Sequence, residues 1–373
     1  MLLRHFRHVD WILLLATFPI VGAGLISMYA FVGENNYFER QLFWFPVALA
    51  ICLVIASLDL RTLRRSSTIL AIFLFFTGLL FLLFLMGSVF KGAQSWFNLG
   101  FFAVQPADPM KLVLILVLAK YFSRRHIEIA HVKHILISGL YAIIPFGLVL
   151  LQPDFGSAII LFCIWFGMTV VSGISKKHLF IVFCVGAVAF LVLWTFVFAP
   201  YQKQRIMTFL NPLTDIRGAG YNAYQSTIAV GSGELLGKGI GYGTQSRLKF
   251  LPEYQTDFIF ASFAEEWGFV GVTLLLLCFG VVIFRILAAA MTGATNFETL
   301  YAMGLAIFFM VQFMIHIGMN IGLLPVTGQT LPFMSYGGSH LVTEFAGLGI
   351  LMGMRKYRRV SHPEGMKNEF LGI

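Results

Sequence analysis

Long apolar runs recur along almost the whole chain of 373 residues. A helix that crosses a bilayer needs about 20 mostly apolar residues. The sequence therefore predicts an all-α, polytopic integral membrane protein with about ten transmembrane helices. The predicted spans are Trp11–Val32, Gln41–Leu58, Ile69–Phe90, Pro109–Phe122, His134–Leu151, Gly156–Ser172, His178–Ala199, Gly268–Ala290, Glu298–Gly322 and Ser339–Met354. Charged residues make up only 12% of the chain, against about 25% in soluble domains, which excludes a soluble protein.

Basic residues in the short connections predict the orientation. With the N-terminus inside, the inner segments collect most of the Lys and Arg, as the positive-inside rule requires. These residues are Arg4, Arg7, Arg61, Arg64, Arg65, Arg124, Arg125, Lys133, Lys176, Lys177, Arg355, Lys356, Arg358 and Arg359. Both termini are therefore expected in the cytoplasm. The same clustering explains most of the net charge of +9, so no nucleic-acid partner is expected.

Residues 200–267 interrupt the pattern of short connections. They contain no apolar run long enough to span, and the predicted orientation puts them outside as one large extracytoplasmic loop between the seventh and eighth helices. A connection of this length is uncommon unless it is functional or disordered. Its aromatic and glycine content argues against disorder. Residues 1–373 are expected to form a single membrane domain, with its chemistry in this loop.

Asp257 lies near the end of this loop, where the chain returns to the membrane. A carboxylate at such a boundary is costly unless it is paired or functional. Glu265 follows about two helical turns later, so on a continuous helix the two carboxylates would share a face. A helix cap at Asp257 and a solvated boundary at Glu265 are the structural alternatives.

A second polar group precedes and opens the fourth predicted span. Lys111 follows Asp108 by one helical turn, close enough for an ion pair, and Pro109 suits the first position of a helix, with Asp108 at or beside its cap. Such a pair fits a structural role and equally a site for an anionic phosphate ligand. Trp96 fits an interfacial anchor or a platform for a sugar ring.

The glycine-rich stretch 231–243 does not match a phosphate-binding loop. Lys238 is followed by Gly239, whereas the nucleotide-binding motif requires Ser or Thr at that place. Tight turns with exposed backbone amides are the expected structure.

Several short motifs follow one another along nearly the whole chain. They are Gly92–Gly100, Gln105–Pro106 with Lys111, Gln152–Gly156, Gly220–Asn222 with Gln225–Ser226, Gly231–Gly233, Gly237–Gly239, Gly243–Ser246, Phe250–Glu253, Thr256–Phe260, Glu265–Glu266, Leu324–Gly328 and Leu331–Ser339. Taken together and in this order, they resemble the SEDS family (shape, elongation, division and sporulation). Within that family the chain is most similar to the elongation member. The chain departs from the usual family pattern at Ala107–Asp108, Pro109, Glu234, Gln255 and His340.

The resemblance implies a peptidoglycan glycosyltransferase that polymerises lipid II into glycan strands in the bacterial cytoplasmic (inner) membrane during cell elongation. Asp257 would be the general base of an inverting transfer, removing the proton of the acceptor hydroxyl. The residues expected to bind substrate are Trp96, Asp108, Lys111, Arg205, Lys238 and Glu265.

A divalent cation, Mg²⁺ or Mn²⁺, is the expected cofactor beside the diphosphate leaving group, with no ligand set predicted. The expected partners are lipid II, the released undecaprenyl diphosphate, a class B penicillin-binding protein, the elongation machinery and membrane lipid.

Two other functions fit a polytopic chain with polar sites. A lipid II flippase should carry ionisable groups near the midplane or broken helices in matched halves; His316 is the main ionisable residue within a predicted span, and no internal repeat is evident. A non-catalytic scaffold for the penicillin-binding protein would tolerate replacement of Asp257 and Lys111.

Overall fold

The structure, a computed structural model, describes residues 8–29, 36–87, 95–98, 100, 103–124, 132–198, 200–210, 219–248, 250–251 and 253–356. Its helices are α1 Trp11–Tyr29, α2 Tyr37–Ser57, α3 Ser66–Met86, α4 Ala107–Ser123, α5 Val132–Leu151, α6 Phe155–Val171, α7 Lys176–Val192, α8 Pro200–Leu210, α9 Ala219–Ser232, α10 Thr244–Arg247, α11 Ile259–Met291, α12 Asn296–Asn320 and α13 Gly338–Arg355. A 3-10 turn, Leu60–Arg64, follows α2, and a π turn, Leu193–Val197, extends α7.

The described strands form one short hairpin before α4. Strand β1 (Phe97–Asn98) pairs antiparallel with β2 (Ala103–Val104), with Phe97 opposite Val104.

The predicted all-α, multi-pass architecture is confirmed. Each of the ten predicted spans overlaps one helix, namely α1–α7 and α11–α13. Seven helices of the described part are long and apolar enough to cross a membrane, and α6 is apolar but shorter. The exact number of spans stays a prediction.

Helix α11 is longer than the predicted eighth span. The span was expected from Gly268, where the helix is kinked, and a further helical segment from Ile259, buried within the protein, precedes it. Gly268 has φ +63° and kinks the helix. A Cβ at Gly268 would lie 2.3 Å from the backbone nitrogen of Gly237, so only glycine fits this close approach.

Burial separates a central helix from the helices that face lipid. Helix α4 is buried on nearly every face and contacts α3, α5, α6, α12 and α13. In contrast, α3 and α7 expose large apolar side chains such as Phe75, Phe180 and Phe183. Exposed apolar surface of this kind is stable in hydrocarbon, where helices satisfy their own backbone polar groups.

Helices α2 and α13 approach each other closely through small residues. A Cβ added to Gly349 would lie 2.7 Å from the carbonyl oxygen of Cys52, and one added to Gly353 would lie 3.0 Å from that of Ile55. Small residues of this kind let two helix backbones pack tightly in a membrane.

Ion pairs gather the helix ends at one end of the bundle, which we call the basic end. Asp10, just before α1, accepts hydrogen bonds from Arg285 of α11 (2.6 Å) and Arg355 of α13 (3.1 Å). Arg64 pairs with Glu298 of α12 at 2.7 Å. The start of α1 and the end of α13 are therefore at the same end, and the opposite end, where α4 and α6 begin, is called the site end.

The described part of residues 200–267 is largely helical. It contains α8, α9, α10 and the first turns of α11. Ala229 of α9, Leu251, Phe258 and Ala261 form a small apolar cluster at the site end.

Candidate active site

Asp257 lies in a turn immediately before α11 and is half-buried. The backbone amides of Thr256 and Phe258 both donate to the carbonyl oxygen of Glu253, at 3.1 and 3.2 Å. Because the helix starts at Ile259, no continuous helix joins Asp257 to Glu265. Asp257 and Glu265 therefore do not share one helical face, as they would on the continuous helix considered from the sequence.

Asn320, at the end of α12, ties the Asp257 turn to two other helices. Its Nδ2 donates to the carbonyl oxygen of Asp257 (3.0 Å), and its Oδ1 accepts from the amide of Ala261 (3.2 Å). The hydroxyl of Ser226 on α9 donates to the Asn320 carbonyl at 2.9 Å. Asn320 is fully buried. Asn320 was not among the site residues predicted from the sequence, although a polar residue at the end of an apolar span was the available signal.

The loop between α12 and α13, residues 321–337, covers the other side of the Asp257 turn. Ser335 Oγ donates to the carbonyl oxygen of Thr256, and the amide of Tyr336 donates to that of Gln255, both at 2.9 Å. Gly328 has φ +73°, and a Cβ there would lie 3.6 Å from Oδ2 of Asp257. The carboxylate of Asp257 therefore lies next to this loop.

Asp108 and Lys111 form the ion pair that their spacing predicted. Lys111 Nζ lies 2.9 Å from Asp108 Oδ1, and both side chains are almost completely buried. Asp108 Oδ2 is buried and has no hydrogen-bond partner among the described residues. Helix α4 begins at Ala107, so Asp108 is within the first turn instead of capping it, and Pro109 takes the third position. Proline is tolerated there because the N–H groups of a first turn have no intrahelical partner.

Two residues of α13, His340 and Glu344, lie beside this pair and were not among the predicted site residues. They interact electrostatically with Asp108 and Lys111. His340 Nε2 lies 3.6 Å from Glu344 Oε1, and both residues are buried. Four ionisable side chains thus meet between α4 and α13, where burial of charge requires pairing or a ligand.

Lys238 and Glu265, both predicted to bind substrate, bind each other. Lys238 Nζ lies 2.7 Å from Glu265 Oε1. The same oxygen accepts from the amide and the hydroxyl of Thr244, each at 2.9 Å, and the Gln245 amide donates to both carboxylate oxygens at 3.2 Å. Both carboxylate oxygens of Glu265 are therefore used within the protein, and they attach the glycine-rich loop to α11.

Arg205 lines a cavity of about 250 Å³ between α8, α9 and the start of the 321–337 loop. Val326 is part of the cavity wall and also packs against the cluster that contains Phe258, the neighbour of Asp257. The cavity is therefore adjacent to the Asp257 turn. Trp96 is half-buried and directly precedes β1.

Comparison with known proteins identifies the family. The family described as "Cell cycle protein" FtsW/RodA/SpoVE matches residues 6–360. The chain belongs to this family. The resemblance to SEDS proteins inferred from the sequence is thereby confirmed.

Curated members of the FtsW/RodA/SpoVE family align with almost the whole chain. It is 35% identical over 362 residues to stage V sporulation protein E of Bacillus subtilis, covering 94% of this chain and 98% of the relative. It is also 35% identical over 354 residues to peptidoglycan glycosyltransferase MrdB of Escherichia coli, covering 95% of each. Equal identity to a sporulation protein and to MrdB does not decide between branches of the family.

Solved structures of the family have the same fold. A chain from a peptidoglycan synthase complex described as coordinating polymerisation and crosslinking superposes with a TM-score of 0.80 and 30% identity, covering 94% of this chain and 98% of its own. The rod shape determining protein RodA of Thermus thermophilus gives a TM-score of 0.70 and 28% identity, covering 94% and 97%.

Proposed function

We propose that this chain is a peptidoglycan glycosyltransferase that polymerises lipid II into glycan strands during cell elongation. One observation carries the assignment of the site. The half-buried Asp257 lies in a turn held by Asn320, Ser335 and Tyr336, beside a cavity lined by Arg205. A relative that is 35% identical is named as a peptidoglycan glycosyltransferase, which supports the same chemistry here.

In this proposal Asp257 is the general base. Its carboxylate removes the proton of the acceptor hydroxyl, the acceptor oxygen forms a bond to the anomeric carbon of the donor, and the bond from that carbon to the diphosphate breaks. The products are a chain longer by one disaccharide and undecaprenyl diphosphate. A single displacement of this kind inverts the anomeric carbon and needs no nucleophilic carboxylate.

The leaving diphosphate needs positive charge, which Lys111 and Arg205 can supply. Lys111 is buried and already pairs with Asp108 through one carboxylate oxygen. A preorganised cation in a site of low dielectric stabilises developing negative charge strongly. Lys238 belongs to this predicted set as well, although its pairing with Glu265 makes it a weaker candidate for direct phosphate contact.

A divalent cation, Mg²⁺ or Mn²⁺, fits this site only if the substrate provides part of its coordination. No group of three or more His, Cys, Asp or Glu residues suited to a metal occurs in the described part of the chain. Asp108 Oδ2 is a buried acceptor without a partner among those residues. Mg²⁺ commonly binds through one or two carboxylates plus substrate phosphates and water, so Asp108 would hold the ion and the ion would neutralise the diphosphate.

The proposed setting is the bacterial cytoplasmic membrane, with both termini in the cytoplasm. The basic end, with Arg64, Arg285 and Arg355, then faces inwards, in accordance with the positive-inside rule. Asp257 faces outwards, where the sugars of lipid II are exposed. A class B penicillin-binding protein is the proposed partner, because a similar chain occurs in a peptidoglycan synthase complex. The elongation machinery and membrane lipid complete the proposed surroundings.

Polymerisation of purified lipid II tests the proposal. The purified protein with its penicillin-binding partner should form glycan strands, and Asp257→Asn should form none while remaining folded and bound to the partner. Glu234→Gln is a matched control, because Glu234 is an exposed carboxylate within residues 200–267, the segment that also contains Asp257. This variant should retain normal polymerisation.

Two outcomes would contradict the proposal. Strand formation by Asp257→Asn would remove Asp257 as the base. Absence of strands from the wild type, beside an active control polymerase, would favour the flippase or the scaffold over the enzyme.

A further inference from the structure

Residues 331–334 form a type II turn with an unusual residue in its third position. The amide of Met334 donates to the carbonyl oxygen of Leu331 at 3.2 Å, Pro332 takes the second position, and Phe333 has φ +61°. A type II turn requires a positive φ at its third position, where glycine or asparagine is usual. Phe333 therefore needs stabilisation from its surroundings to keep this conformation.

Glu344 of α13 provides that stabilisation. Its Oε2 accepts the amide of Phe333 at 2.7 Å. Both residues are almost completely buried, and an unpaired buried N–H is costly. The Phe333 ring packs between those of Phe309 and Phe345, with centroid distances of 5.1 and 5.4 Å.

The turn is connected to the residues that precede Asp257. Ser335 Oγ accepts from the amide of Leu331 (2.8 Å) and donates to the carbonyl oxygen of Thr256 (2.9 Å). The next amide, that of Tyr336, donates to Gln255 at 2.9 Å. A change in the turn at Phe333 would therefore move the partners of the two residues directly before Asp257.

We propose that Glu344 is a positioning residue for Asp257, acting through the Phe333 turn and the Ser335–Thr256 hydrogen bond. The inference rests on the proposed function of Asp257. Glu344 acts as a hydrogen-bond acceptor in this role, and its charge is not required. Asp108, Lys111 and His340 also lie near Glu344. The alternative is therefore that Glu344 acts through its charge on these residues, and the experiment has to distinguish the two roles.

Two substitutions distinguish the role of Glu344 as a hydrogen-bond acceptor from a role of its charge. Glu344→Gln keeps an oxygen that can accept from Phe333, whereas Glu344→Met keeps the approximate size and removes the acceptor. We expect Glu344→Met to lower kcat for lipid II polymerisation about tenfold, the scale of losing one buried acceptor. KM should stay within about twofold, because the acceptor is not a binding group. Glu344→Gln should restore kcat to within about twofold of the wild type.

Thr343→Val is the matched control. Thr343 is the buried neighbour of Glu344, and its hydroxyl donates only to the carbonyl oxygen of Ser339 in the same helix, at 2.9 Å, among the interactions described. Its loss removes one buried hydrogen bond of α13 without touching the Phe333 turn. Polymerisation should stay unchanged.

Amide hydrogen exchange of residues 253–258 in the full-length protein provides a readout independent of activity. Exchange should accelerate in Glu344→Met and remain as in the wild type in Glu344→Gln and Thr343→Val. Unchanged exchange in Glu344→Met would overturn the inference, and so would a Glu344→Gln variant as impaired as Glu344→Met. If the wild type forms no strands beside an active control polymerase, the proposed function fails, and the exchange result still decides whether Glu344 holds the turn.

Discussion

Two lysine–carboxylate pairs with buried carboxylates at the site end differ in how completely those carboxylates are satisfied. Glu265 accepts from Lys238, twice from Thr244 and from Gln245. Asp108 accepts from Lys111 through one oxygen, while the other has no partner among the described residues. All four residues were expected from the sequence to bind substrate, but only the pairing of Asp108 with Lys111 was predicted.

The difference indicates which pair can bind a ligand. A carboxylate whose acceptor positions are filled by the protein holds that part of the protein together, whereas a buried unsatisfied oxygen requires an explanation such as a ligand, ion or water. Asp108 and Lys111 are therefore the better candidates for substrate binding. Glu265 is better explained by its attachment of the glycine-rich loop to α11.

The largest effect is expected at Lys111. Lys111→Met leaves Asp108 buried without its partner, which typically costs about 3–5 kcal/mol of stability. Polymerisation should fall at least about a hundredfold, because a cation for the diphosphate is lost. Strand formation per folded molecule and the thermal unfolding midpoint in detergent measure the two effects.

The double variant Asp108→Leu with Lys111→Met separates the two roles. Replacement of a buried ion pair by apolar side chains is often neutral for stability, so the unfolding midpoint should recover while polymerisation stays lost. If the double variant polymerises, the pair is structural and the contrast with Glu265 disappears.

A smaller effect on catalysis is expected at Glu265. Glu265→Leu removes the acceptor of the Thr244 and Gln245 amides, and stability should fall by about 2–3 kcal/mol. Activity per folded molecule should fall by no more than roughly threefold. Limited proteolysis of the 237–247 loop, thermal unfolding and strand synthesis would be measured for Glu265→Leu and for the wild type. A large rise in KM with unchanged stability would support the original prediction that Glu265 binds substrate.

The smallest effect is expected at the basic end, where Asp10 is compensated by two arginines. Burial alone would raise the pKa of Asp10, but its hydrogen bonds from Arg285 and from the Leu13 amide, with the charges of Arg285 and Arg355, lower the pKa below 3.8. Since the folded-state pKa is lowered, the stabilisation is present above pH 3.8 and is lost as pH falls through the folded-state pKa.

Asp10→Asn should therefore reduce stability by about 1–2 kcal/mol at neutral pH, because the hydrogen bonds to a buried carboxylate lose their charge, and the difference from the wild type should shrink in stronger acid. Unfolding midpoints measured between neutral pH and pH 3 test this, and polymerisation at neutral pH should be unchanged. If the difference in unfolding midpoint between Asp10→Asn and the wild type vanished already near pH 6, the pH-dependent stabilisation would not come from Asp10.

The positions of the spans could be predicted from local sequence. All ten predicted spans overlap helices, because an apolar run in lipid must satisfy its backbone internally and a helix does so. The predicted start of the eighth span, Gly268, coincides with the kink in α11, and the helical segment from Ile259 to the kink was not predicted. The helical segment before Gly268 contains polar residues and is held by burial inside the protein, where Ser262, Glu265 and Glu266 are almost completely enclosed.

The site was predicted less completely than the fold. The Asp108–Lys111 pair followed from a spacing of one helical turn, which is local information. Asn320 and Glu344 were missed because their partners, Asp257 and Phe333, lie elsewhere in the chain and belong to other elements. The roles of all predicted site residues stay predictions until the variants are measured.

The sequence by itself determined the all-α membrane architecture and the family, because apolar runs and ordered motifs are properties of contiguous residues. Only the tertiary structure decided which buried carboxylates are satisfied. Hydrogen bonds act over about 3 Å, and the atoms that fill the acceptors of Glu265, or leave Asp108 Oδ2 open, are brought to that distance by packing of different helices and loops.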